Sequence, residues 1–63
     1  MDPDKLLALL GRMEYYLSRG IQVQVADREQ APLVLIQVTN TEDHVLVPEI
    51  TALALEIYHA NLS

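Results

Sequence analysis

Apolar residues recur at helical spacing near the start of the chain, alternate with polar ones in the middle, and return to helical spacing at the end. Leu6, Leu9, Leu10, Met13, Tyr16 and Leu17 fall on one arc of a helix. Asp2 stands where an N-cap side chain is needed. Pro3 takes the first helical position, where a missing N–H is harmless, and Asp4 favours the positive helix end. Arg19 falls in the last turn, and Gly20 after it adopts the left-handed C′ conformation without steric cost. These signals predict a helix over about 3–19.

Residues 21–26 alternate, with Ile21, Val23 and Val25 on one face and Gln22 and Gln24 on the other. That is the period of a half-buried strand. Residues 27–32 are polar and end in Pro32, a loop of hairpin length. A second strand is predicted over 33–39, with Val34, Ile36 and Val38 inward and Leu33, Leu35, Gln37 and Thr39 outward. Asn40 to Asp43 reads as a turn. His44 to Val47 is a short apolar stretch ended by Pro48, and it offers a third strand. A helix is expected from about 49 to 62, entered through Pro48.

The expected fold is one α+β domain spanning residues 1–63. It has two layers, helix–β-meander–helix, with two or three antiparallel strands and both helices on one sheet face. The apolar arc of the last helix is wider than one sheet face requires. Ile50, Leu53, Ala54, Ile57, Tyr58 and Ala60 point one way, and Leu55 and Leu62 extend the arc past half the circumference. A second contact surface for that helix is implied.

Composition sharpens the expectation. Leu, Ile and Val supply 21 of 63 residues, too many for a disordered chain. In a 7.1 kDa domain the gain from apolar burial and the loss of chain entropy nearly cancel. No cysteine is present to staple the fold. Such a chain gains much from a partner, a second copy included. The longest apolar run, Leu6 to Leu10, is five residues, far short of a membrane span. The acidic start is unlike a secretory or organelle leader, so a cytoplasmic location is expected.

Charge is uneven. Net charge is −5, and all four basic residues lie in residues 1–31. Residues 32–63 carry Glu42, Asp43, Glu49 and Glu56 and no Lys or Arg. A half-chain without cations is a poor phosphate binder, so nucleic acid is not the expected partner. Helix–three strands–helix is the element order of the double-stranded-RNA-binding domain. That family uses a basic cluster at the start of its second helix; here Pro48-Glu49-Ile50-Thr51-Ala52-Leu53 carries an acid and no base, and membership is not claimed.

Catalytic chemistry finds little support. The serines, Ser18 and Ser63, lie in no nucleophile-elbow motif, and Gly11 and Gly20 build no phosphate-cradling loop. Glu56 and His59 share a carboxylate-iron spacing, but such sites take ligands from several helices. Asp43 and His44 form a lone oxygen/nitrogen pair. No enzyme activity, cofactor or metal is expected.

The expected function is a non-enzymatic protein–protein interaction module, an adaptor or regulator acting as a homodimer. Its candidate interface residues are Leu7, Gly11, Leu35, Leu55, Tyr58 and Leu62. Lys5, Arg12 and Arg19, seven residues apart along one helix edge, are a candidate strip for an acidic partner. Two alternatives remain open. One is an acidic inhibitor, of the kind some phages encode, filling a basic groove of a nucleic-acid enzyme. The other is a small subunit of a larger assembly.

Overall fold

A computed structural model describes residues 2–28 and 31–62. The element order is α1 (Pro3–Ser18), β1 (Gln22–Asp27), β2 (Pro32–Gln37), a 3-10 helix (Thr41–Leu46) and α2 (Val47–Leu62). The middle of the expected hairpin loop, Glu29 and Gln30, lies outside the described residues, as does Ser63.

Both ends of α1 follow from local chemistry. The Asp2 side chain accepts from the Asp4 N–H at 3.0 Å, and Pro3 opens the helix. At the other end Gly20 takes φ +87°, and its N–H donates to the Leu17 carbonyl at 3.0 Å. This left-handed cap reverses the chain and drops Ile21, 2% exposed, into the core beside Tyr16. The strands pair antiparallel, with Val23 opposite Ile36, Gln24 opposite Leu35 and Val25 opposite Val34.

The expected third strand is corrected. Residues 41–46 wind as a 3-10 helix that runs straight into α2. Pro48 supplies one reason. It has no N–H to give the His44 carbonyl, and that carbonyl accepts from Val47 instead, three residues on. Side-chain period supplies the other. A turn of three residues sets Asp43 and Leu46 on the same side; Asp43 is buried, Leu46 packs on the core, and Val45 faces water. A strand would have put Asp43 and Leu46 on opposite faces. The sheet therefore has two strands.

That missing strand reshapes the packing. Two strands about 5 Å apart are about as wide as one helix. The sheet rests chiefly on α2, and α1 packs chiefly on α2. The core is Leu9 and Tyr16 of α1, Ile21, and Ile50 and Leu53 of α2, with Met13, Val23, Ile36, Val38, Leu46 and Ile57 around it. The wide arc of α2 is thereby explained: one helix serves α1, both strands and the 3-10 helix. The resulting molecule is flat, 35 × 29 × 14 Å.

Candidate functional site

Three surfaces carry the residues that the sequence singles out or leaves uncovered. The first lies between α1 and α2, where Lys5, Leu9, Ala52, Leu55, Glu56, His59 and Ala60 line a broad depression. Leu55 is half-buried there, while Lys5, Glu56 and His59 are exposed. Acid–base catalysis needs such groups withdrawn from water into a cleft, and these three stand in solvent. Tyr58, on the same helix, is half-buried, and its hydroxyl donates to Asp27 Oδ1 at 2.7 Å. That hydrogen bond ties α2 to the end of β1 and, with burial, raises the Tyr58 phenol above its usual value. Leu62 at 69% and Leu7 at 66% exposure face water. A Cβ added at Gly11 would meet nothing within 4 Å, so the space above that glycine is open.

The second surface is the outer sheet face. Leu35, 49% exposed, sits in a shallow depression with Gln22, Gln24, Ile36 and Gln37. This brings together Leu35 and the glutamines that the strand alternation grouped.

The third surface is missed in the sequence as an interface. Leu10, Met13 and Leu17 of α1, Val23 and Val25 of β1, and Ala54 and Ile57 of α2 line one groove. Every lining residue is apolar. Sequence periodicity reads these positions as core, and four of the seven, Met13, Val23, Ala54 and Ile57, do turn toward the fold's interior. Yet Leu10 is 43%, Leu17 46% and Val25 39% exposed. The groove holds about 170 Å³, below the roughly 300–1,000 Å³ of small-molecule sites and suited to a few aliphatic side chains. Its cause is the two-stranded sheet: α2 takes the cover that the sheet can give, and the sheet-ward side of α1 stays bare.

The charged residues divide differently from their sequence pattern. Lys5 and Arg12 are exposed, but Arg19 Nη2 bonds Asp43 Oδ1 at 2.6 Å. Arg19 also lies over the Tyr15 ring, 5.8 Å from its centroid. The hydrogen bond to Asp43 holds the guanidinium pKa above its already high value. One member of the basic strip is thus engaged within the chain. Of the four acids in residues 32–63, Asp43 is buried, Glu49 accepts from the Tyr16 hydroxyl at 3.1 Å, and Glu42 and Glu56 face water. Among the described residues no three His, Asp or Glu side chains converge as metal ligands do. Among the same residues no helix is long and apolar enough to cross a membrane.

No protein-family model matches the chain, and no curated protein or solved structure matches it.

Tyr16 makes the α1–α2 contact sensitive to alkali. Burial, then the hydrogen bond from its hydroxyl to Glu49, raises its pKa above 10.0. A raised pKa contributes stability that is whole below the unfolded value and is lost as pH rises through the folded one. The urea midpoint is therefore expected to hold up to about pH 10 and to fall above it. Tyr16→Phe should be less stable near neutrality, having lost the bond to Glu49, and should show a shallower alkaline fall. An unchanged alkaline limb in Tyr16→Phe would assign the transition elsewhere.

Proposed function

We propose that this chain is a non-enzymatic protein–protein interaction module, working in the cytoplasm as a homodimeric adaptor or regulator. The observation that carries this reading is the groove between α1 and β1. It is lined only by apolar side chains from three elements, and its rim is left roughly 40–50% exposed at Leu10, Leu17 and Val25. Scattered leucines on a surface need no explanation, but leucines that rim a common groove are the form a docking site takes. The exposed setting of Lys5, Glu56 and His59 supports a role without catalysis.

The test is a concentration series by analytical ultracentrifugation, with circular dichroism recorded alongside. A reversible monomer–dimer equilibrium of folded chains is expected. Urea midpoints should rise with protein concentration, because dimerisation adds stability by mass action. A folded monomer at every attainable concentration removes the homodimer.

A further inference from the structure

The geometry points to a second copy of this chain as the occupant of the α1–β1 groove, in a two-fold contact that seats Leu10 and Leu17 of each copy against Val23 and Val25 of the other. This rests on the homodimer reading and adds to it which face is used.

Area is the first argument. The chain exposes 4663 Å², against roughly 4,100 Å² expected for a folded monomer of its mass. Its radius of gyration is 12.0 Å, against about 10.6 Å for a compact chain of this length. The excess of about 560 Å² per chain amounts to about 1,100 Å² in a pair, just above the roughly 1,000 Å² that a specific interface should clear. The excess belongs to the whole flat chain, and Leu10, Leu17 and Val25 are the part of it that rims one groove.

Charge is the second. A two-fold contact presents the same patch on both copies, so charges near the axis meet their own kind. The groove has no charged lining residue; the nearest acid on α1, the exposed Glu14, stands outside it, one turn from Leu10 and from Leu17. The α1–α2 depression is different. It carries Glu56 beside Lys5 and His59, and a two-fold axis through it would bring Glu56 of each copy together. Lys5, Arg12 and Arg19 lie on the other flank of α1 from Leu10 and Leu17, clear of the groove. A second copy also supplies matching occupants, since the half-exposed leucines that rim one groove are the aliphatic side chains the other can take.

The test uses the whole chain in three forms: wild type, the double variant Leu10→Glu/Leu17→Glu, and Leu62→Glu as a control on an exposed α2 leucine. Sedimentation gives the dimer constant, and circular dichroism verifies folding. The expected result is a dimer for wild type and Leu62→Glu, with the double variant folded and its dimer weakened at least about 100-fold. A folded double variant that dimerises like wild type overturns this face while leaving the homodimer intact. So does a loss of dimer confined to Leu62→Glu. A wild type that stays monomeric overturns both readings together. Should the double variant not fold, single cysteines settle the face, since the chain has none of its own. Leu17→Cys is then expected to cross-link between copies with a short bismaleimide much faster than Leu62→Cys. Equal or reversed rates would overturn the proposal.

Discussion

Ile50→Ala is expected to bring the chain to the edge of unfolding at room temperature. Ile50 is 0% exposed and sits where α1, α2 and the strands meet in one cluster. Truncating a buried isoleucine costs about 2–5 kcal/mol, transfer and cavity terms together. A domain of this size holds roughly 3–9 kcal/mol in total. At the middle of both ranges the loss is roughly half of what keeps the chain folded. A urea titration followed by far-ultraviolet circular dichroism should show the midpoint near zero denaturant. If dimerisation contributes stability, raising the protein concentration should recover part of the signal. A midpoint close to wild type would mean that the cluster is not the seat of stability.

Arg19→Met is expected to destabilise more than the replacement of both ion-pair partners. Asp43 is 3% exposed, and the Arg19 guanidinium, at 2.6 Å, is the partner that compensates its charge. Removing the arginine leaves a carboxylate out of water with nothing opposite it. Removing both, as in Arg19→Met/Asp43→Leu, leaves apolar surface against apolar surface. Only the carboxylate is buried, the Arg19 side chain being 39% exposed, and it is the buried charge left without its partner that makes breaking such a pair cost more than replacing it. The ranking expected in thermal melts is wild type and double variant close together, Arg19→Met well below. The fall for Arg19→Met should be second only to that of Ile50→Ala. The pair joins the end of α1 to the 3-10 helix, so the loss should also loosen the approach to α2. A double variant as unstable as the single would show that the contact is held by packing and not by charge compensation.

Much of the fold is legible in residue order. Asp2, Pro3 and Gly20 set the limits of α1, and each acts through its immediate neighbours. Alternation at Val23, Val25, Val34 and Ile36 marks the two strands and their inner face. The 3-10 helix is not legible in the same way. His44 to Val47 carries enough apolar residues for a strand, and the partner that receives the buried Asp43 of the 3-10 helix, Arg19, lies 24 positions earlier. Pro48 was the local signal that could have found it: by withholding an N–H from the His44 carbonyl, it favours a three-residue turn just before α2.

The groove is less legible still. Leu10 and Leu17 obey the same periodicity as Leu9 and Tyr16, yet the latter two are buried and the former two stand nearly half exposed. Period tells which side of a helix is apolar and says nothing of whether a neighbour covers it. The surplus apolar surface expected of this chain is present, but much of the width of α2 is used inside the fold. Leu55 and Tyr58 are half-buried, and the uncovered leucines facing a groove belong to α1.

By itself, then, the sequence determined the two helices, the two paired strands, the caps of α1, the faces of the strands and an excess of apolar surface over what so short a chain can bury. These depend on interactions within a few residues, where spacing and side-chain type decide. Only the tertiary structure decided the number of strands, the commitment of Arg19 to Asp43 and the place of the uncovered surface. Each depends on which distant segments meet: a sheet two strands wide covers one helix, and the helix left over keeps its leucines in water.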